Sequence, residues 1–132
     1  MSVGLLLVTH EGIGAQLSQV AREIFCQTVE PVAQIAVPSD LQPEILGRYA
    51  DSIRDAINAQ DNGDGVLVMT DVYGATPDNL ARYFAANCNA QVVSGINLPM
   101  LLRVLNYAHL SLEQLCETAI TGGTTGVTGN DL

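Results

Sequence analysis

The chain has 132 residues, 48% of them hydrophobic and 14% charged, with a formal net charge of −9. That apolar content excludes a disordered chain, the length fits a single domain over 1–132, and no apolar run approaches the roughly 20 residues of a membrane span. The five basic residues are all arginines (Arg22, Arg48, Arg54, Arg82 and Arg103), too few and too scattered for nucleic acid or an anionic membrane surface, so the charge favours a basic protein partner instead.

The N-terminus, Met1-Ser2-Val3-Gly4-Leu5, lacks the basic segment of a signal peptide. An aliphatic run from Val3 to Val8 predicts the first strand, and a helix follows over Ala15–Cys26, where Leu17, Val20, Ala21, Ile24 and Phe25 recur at spacings of three and four. Val32–Val37 predicts a second strand. Asp40 and Pro43 are start signals for a helix over Pro43–Ala59, with Ile45, Leu46, Tyr49, Ile53, Ala56 and Ile57 on its apolar stripe. A third strand is expected over Gly65–Asp71. The next helix opens at Thr76-Pro77-Asp78-Asn79, with Thr76 as N-cap and Pro77 at the first helical position. A fourth strand is expected over Ala90–Gly95. Pro99 opens a fourth helix, and Ser111-Leu112-Glu113-Gln114 has capping-box spacing for a fifth that Gly122-Gly123 would end. The tail from Thr121, rich in Gly and Thr, reads as a frayed terminus or a short extra strand.

This βαβαβαβα alternation predicts an α/β fold, a three-layer α/β/α arrangement around a central, mainly parallel sheet ordered 2-1-3-4, with a possible short fifth strand from the C-terminal tail. The nearly continuous aliphatic runs Leu5-Leu6-Leu7-Val8 and Val66-Leu67-Val68-Met69 suit central strands covered on both faces. Cys26, Cys88 and Cys116 are widely spaced and odd in number, which indicates neither a zinc site nor a disulfide framework, but reduced, buried thiols in a cytoplasmic protein.

In open α/β sheets, ligands bind beyond the carboxyl ends of the strands where strand order reverses, here between strands one and three. The segments to inspect are therefore Thr9-His10-Glu11-Gly12-Ile13-Gly14 and Asp71-Val72-Tyr73-Gly74-Ala75-Thr76-Pro77. His10 and Asp71 are expected to face each other across one crevice. Each has a plain alternative: His10 as a surface loop residue, Asp71 as a turn or capping residue. Paired, an Asp accepting from one imidazole nitrogen fixes the tautomer and leaves the other nitrogen free as a nucleophile. Gly12-x-Gly14 follows the first strand as a dinucleotide fingerprint would, but Leu17 stands where the third Gly belongs. No nucleotide-triphosphatase loop is present, and the chain lacks the Lys that a phospho-acceptor receiver domain requires. His10, Glu11 and Asp71 have no second His nearby for a metal site; no metal and no cofactor are expected. His109, among Tyr107, Ala108 and Leu110, reads as a surface or packing residue.

Three segments in order resemble the IIA component of the mannose-type phosphoenolpyruvate-dependent sugar phosphotransferase system. They are Gly4-Leu5-Leu6-Leu7-Val8-Thr9-His10, the run from Val66 to Asn79, which is similar to the family's Asp-x-x-Gly-Gly-Ser/Thr-Pro-x-Asn, and Val93 to Leu101, which is similar to its Gly-x-Asn-x-Pro-Met. Two departures stand out. Ala75 replaces a usual Gly, which alters loop flexibility more than chemistry provided φ is negative there. The tail Gly126-Val127-Thr128-Gly129-Asn130 is poorer in strand formers than in relatives that exchange a C-terminal strand, while dimerisation is less affected. No fused IIB domain is expected.

The resemblance implies a phosphotransferase in which His10 takes a phosphoryl group from the phosphohistidine of the carrier HPr and passes it to a IIB-type acceptor, with Asp71 holding Nδ1–H so that Nε2 attacks. Without Lys, the oxygens of the transferring group would meet backbone N–H groups of the Gly12–Gly14 loop and first helix turn, and the Thr76 hydroxyl. Thr9, Gly74 and Asn97 are implied as supporting residues, Asn97 by orienting the loops. A homodimer is implied, as are the alternatives of a regulatory phosphorylation-state sensor and of a donor to a dihydroxyacetone-kinase-like system.

Overall fold

The structure, a computed structural model, describes residues 2–130. Nine elements follow in order: β1 (Gly4–His10), α1 (Ile13–Ile24), β2 (Ala33–Val37), α2 (Pro43–Gln60), β3 (Val66–Thr70), α3 (Thr76–Ala85), β4 (Ala90–Val93), α4 (Leu98–Asn106) and α5 (Leu112–Thr125). The four strands form one fully parallel sheet in the order β2-β1-β3-β4, the expected arrangement.

Period-two alternation along the central strands divides the core into two layers. Leu6, Val8, Val66 and Val68 point to the side covered by Ile53 and Ile57 of α2 and Ala81 and Ala85 of α3. Leu7, Leu67 and Met69 point to the other side, against Ala21 of α1, Leu101 and Val104 of α4 and Leu115 and Ala119 of α5. Both faces of β1 and β3 are thus dry, which is why these strands are almost wholly aliphatic. Gly4 is required by close approach: a Cβ there would lie 2.1 Å from the Gln60 carbonyl oxygen at the end of α2.

Register decides where the strands stop. Val8 pairs with Thr70, the last residue of β3, whereas His10 still pairs with Val37 of β2. β1 therefore outruns β3 by two residues, and Glu11 N–H donates to the Val37 carbonyl to continue the ladder. The expected strand end at Val8 is corrected to His10 because the neighbouring strand supplies acceptors that far.

Three other expectations are revised. α1 begins at Ile13, since Gly12 takes the left-handed conformation (φ 92°) at the N-cap. α3 has Ala75, with extended backbone, at the N-cap and Thr76 as its first helical residue. α5 runs through Gly122-Gly123 to Thr125. These two glycines are buried against α4: a Cβ on Gly122 would lie 2.8 Å from Arg103 Cβ, and one on Gly123 2.8 Å from Met100 Cε. They serve helix–helix approach rather than helix termination, and of the two readings of the tail the possible short strand does not form, helix occupying it up to Thr125. Among the described residues, 126–130 add no strand; Asp131 and Leu132 lie outside them. The capping box at Ser111 and Gln114 forms as expected.

Candidate active site

β1 and β3 end side by side at the centre of the sheet, and their two-residue offset lets His10 reach over the first residue beyond β3. Asp71 accepts twice from His10 on a single oxygen: its Oδ2 lies 2.9 Å from the His10 backbone nitrogen and 2.7 Å from the ring Nδ1. Oδ1 accepts from Val72 N–H at 3.0 Å. The Asp71 side chain is 6% exposed and the His10 side chain 29%. Burial pushes the Asp71 carboxyl up, but the hydrogen bonds from His10 backbone and ring and the charge interaction with the ring outweigh it and hold the carboxyl below its ordinary value. A carboxylate only accepts, so Nδ1 carries the proton facing it. Nε2 of the neutral ring then keeps its lone pair.

Of the other site residues expected from the sequence, Thr9, Gly12 and Gly14 lie on the segment that carries His10. Thr9 is fully buried; its hydroxyl donates to the His10 carbonyl at 2.8 Å and accepts from Gly14 N–H at 3.0 Å. Gly14 N–H is thus turned inward, and the glycine brings α1 against β1, since a Cβ would lie 3.1 Å from Thr9 Oγ1. The expectation that Gly14 faces an anion passes to its neighbours, because the N–H groups of Ile13 and Ala15 in the first turn have no acceptor within the helix. Gly12 is exposed at φ 92° and turns the chain from strand to helix. Ala75 has φ −77°, the negative value at which its side chain is accommodated without strain.

Thr76 is exposed and lines a shallow groove with Leu41, Pro43, Leu46, Asn79 and Leu80. Asn97 caps α4, its Oδ1 accepting from Met100 N–H at 2.9 Å, and its Nδ2 donates to the Gly123 carbonyl of α5 at 3.1 Å; the first bond closes the end of α4 and the second ties α4 to α5. The loop link comes from its neighbour, as Ile96 N–H donates to the Thr70 carbonyl. His109 is exposed beside the Tyr107 ring, and the expectation of buried thiols is corrected, since Cys26 is exposed just beyond α1 and Cys88 and Cys116 are half-buried. Among the described residues, no group of three His, Cys, Asp or Glu side chains could hold a metal ion. Ile13, Val72 and Tyr73 form an exposed apolar rim, with Tyr73 76% exposed.

One residue escaped the sequence reading. Asp78 is fully buried and accepts four hydrogen bonds: from Thr70 Oγ1 (2.5 Å) and Ser94 Oγ (2.6 Å) on Oδ1, and from Gly74 N–H (3.0 Å) and Arg82 Nε (2.9 Å) on Oδ2. Burial opposes its ionisation, but the bonds from Ser94, Thr70, Gly74 and Arg82 prevail and lower its pKa to about 2. Thr76 is not the cap: Ala75 holds that place, its carbonyl accepting from Asn79 N–H at 2.9 Å, while the Asp78 carboxylate ties Gly74 N–H to the first turn of α3. The signal in the sequence was an Asp at the third helical position followed four residues later by Arg, a pattern equally expected of an exposed ion pair.

The family described as "PTS system fructose IIA component" (EIIA-man) matches residues 4–120. The chain belongs to this phosphotransferase-system IIA family. It is 30% identical over 134 residues to the "PTS system mannose-specific EIIAB component" of Escherichia coli K12, an alignment covering 96% of this chain and 39% of that protein. A 52-residue stretch is 42% identical to the "PTS system fructose-specific EIIA component" of Bacillus subtilis, covering 38% of this chain and 36% of that one. The chain therefore spans about two fifths of the length of the mannose-specific relative. Among solved structures, the IIA member is similar in fold to the "Mannose/sorbose specific IIA subunit of phosphotransferase system from Enterococcus faecalis", with a TM-score of 0.81 at 21% identity, covering 100% of this chain and 97% of that one. It is likewise similar to the "phosphotransferase system component EIIA from Streptococcus agalactiae", with a TM-score of 0.78 at 20% identity over 98% of each chain. Among the described residues, no helix of this IIA member is long and apolar enough to cross a membrane.

Proposed function

We propose that the protein is a phosphohistidine carrier of a sugar phosphotransferase system, in which His10 accepts a phosphoryl group from phospho-HPr and delivers it to a IIB-type acceptor. The observation that carries this reading is the 2.7 Å contact between His10 Nδ1 and the buried Asp71 carboxylate, with the ring still partly open to solvent. The Nε2 lone pair forms the new N–P bond as the bond from phosphorus to the donor imidazole breaks, and the donor ring leaves with its electron pair. Nδ1 keeps its proton throughout. The phosphorylated ring gains positive character, which Asp71 stabilises through a charge-assisted hydrogen bond.

Phosphoryl transfer has a loose transition state, so positioning and charge neutralisation do most of the work. On this side of the reaction the first turn of α1 offers N–H groups and the positive end of a helix dipole. The exposed rim of Ile13, Val72 and Tyr73 suits a protein donor, because apolar and aromatic side chains around a reactive group are what a transient partner covers. With a net charge of −9, the chain would attract a basic face, making the encounter rate fall as salt rises. A homodimer and a cytoplasmic place of action belong to the same reading.

The test is incubation with phosphoenolpyruvate, the general phosphotransferase enzyme and HPr, followed by intact mass. The expected result is an added phosphoryl group on the wild type and none on His10→Ala; no label on the folded wild type would overturn the reading. Light scattering checks the dimer.

A further inference from the structure

The four-residue turn that carries Asp71 is anchored at both ends to one buried group. Thr70, just before the turn, donates to Asp78 Oδ1, and Gly74, at its far end, donates to Asp78 Oδ2. Between them Val72 and Tyr73 project into solvent. Ser94, at the end of β4, donates to the same carboxylate, so the hub also locks the neighbouring strand to the turn. Arg82 completes it: Nε donates to Asp78, Nη2 to Ser94 at 2.6 Å, and the guanidinium carbon sits 5.0 Å from the centre of the Tyr73 ring. Gly74 adopts φ +85°, a conformation held here by its N–H bond to Asp78 and by Asn79 Nδ2, which donates to its carbonyl at 2.9 Å.

We propose that Asp78 is a positioning residue for phosphoryl transfer at His10, holding the β3–α3 turn in the conformation that presents Asp71 to the ring. This rests on the reading of His10 as phosphoryl acceptor. The chemistry of the hub supports the role. Four donors converge on two oxygens, which only an ionised carboxylate can satisfy. A carboxylate buried as completely as Asp78, with its Arg82 partner at the surface, is a poor device for stability alone, since a well-packed apolar side chain of similar volume commonly does as well or better. What an acceptor at this place adds is a fixed turn: both ends of the Asp71 segment are bonded to the same side chain, and the exposed tip is braced by the Arg82 that neutralises it. His10 Nδ1 and the Asp71 oxygen meet at 2.7 Å, a distance that a loosened turn would not keep.

The variants Asp78→Asn, Ser94→Ala and Thr70→Val test this with two readouts. The first is the tautomer of the His10 ring, read from its nitrogen-15 chemical shifts in the free protein. The second is the rate of phosphorylation by phospho-HPr. Asp78→Asn turns an NH2 group toward donors and is expected to shift the ring from Nδ1–H toward a mixture of tautomers. It should lower the maximal transfer rate at least tenfold, with little change in the phospho-HPr concentration giving half that rate. Ser94→Ala and Thr70→Val each remove one donor and should produce the same changes at roughly two- to fivefold. A purely structural Asp78 would lower the melting temperature while leaving tautomer and rate as in wild type, and that result would overturn the proposal. If Asp78→Asn does not fold, the two milder variants decide by the same criteria. The tautomer readout needs no donor protein. A wild type that HPr fails to phosphorylate would sink the carrier reading and its transfer step, while an unchanged tautomer in folded variants would sink the positioning role by itself.

Discussion

Replacing Asp71 by Asn separates the charge of that side chain from its shape. In the wild type, one oxygen receives both His10 donors at 2.9 and 2.7 Å, and the other receives Val72 N–H at 3.0 Å. An amide can be seated in two ways. With its oxygen toward His10, the NH2 faces Val72 N–H and that donor loses its partner. With its oxygen toward Val72, the NH2 faces the His10 backbone N–H, and the ring must flip tautomer so that Nδ1 accepts. Either seating leaves at least one N–H without an acceptor in a side-chain site only 6% exposed, a destabilisation of about 1–3 kcal/mol. The chemical effect adds to this. As phosphorylation makes the ring positive, a charge-assisted hydrogen bond is replaced by a neutral one about half as strong. A loss of about 1.4 kcal/mol from the transition state slows transfer about tenfold, and the flipped seating slows it further by protonating the attacking nitrogen. The assay is rapid-quench phosphorylation by phospho-HPr, with urea unfolding for stability. Transfer at the wild-type rate by a folded Asp71→Asn protein would refute the pairing as the basis of reactivity.

Stability should also fall in acid with a definite sign. Asp78 is held at about 2 against an ordinary 3.8, so its contribution is fully present above about pH 4 and is lost as pH falls through about 2. The shift corresponds to about 2 kcal/mol, and Asp71, also lowered, acts in the same direction. Urea midpoints between pH 5 and pH 2 measure this, and a flat profile would contradict the hydrogen-bonded carboxylates. Gly4→Ala should destabilise by more than about 2 kcal/mol, because its Cβ meets a main-chain oxygen that cannot step aside; thermal unfolding reads the loss. Two helical glycines should respond with opposite signs. Gly47→Ala in α2 meets open space and should raise stability by about 0.5–1 kcal/mol, whereas Gly122→Ala gains the same helix propensity but collides with Arg103 and should lower it. Asn97→Ala should lose about 1 kcal/mol by uncapping α4, read in the same denaturant series.

The architecture was legible because its signals are local. Aliphatic runs of strand length alternate with stripes of helical period, and the right-handed crossover leaves few orders for a four-strand sheet. Placement of His10 and Asp71 at one crevice follows from the same reasoning, since both stand at carboxyl ends of adjacent parallel strands. The misreadings share a cause. Gly122-Gly123 resembles a helix stop, and Thr76-Pro77 resembles a cap followed by the first helical residue, yet each was overruled by a contact from a distant segment. Arg103 and Met100 of α4 pack against the two glycines, and Asp78, bonded to Thr70, Gly74 and Ser94, enters α3 as its third residue with Ala75 rather than Thr76 at the N-cap.

Chain order alone predicted the layers, the strand sequence β2-β1-β3-β4 and the placement of His10 and Asp71 after neighbouring strands, because hydrophobic period and crossover handedness act through neighbours along the chain. Tertiary structure alone decided that β1 outruns β3 by two residues and that Thr70, Gly74, Arg82 and Ser94 converge on Asp78. Register is set by where the neighbouring strand stops offering partners, and a buried carboxylate is recognised only once donors from separate elements have been folded around it.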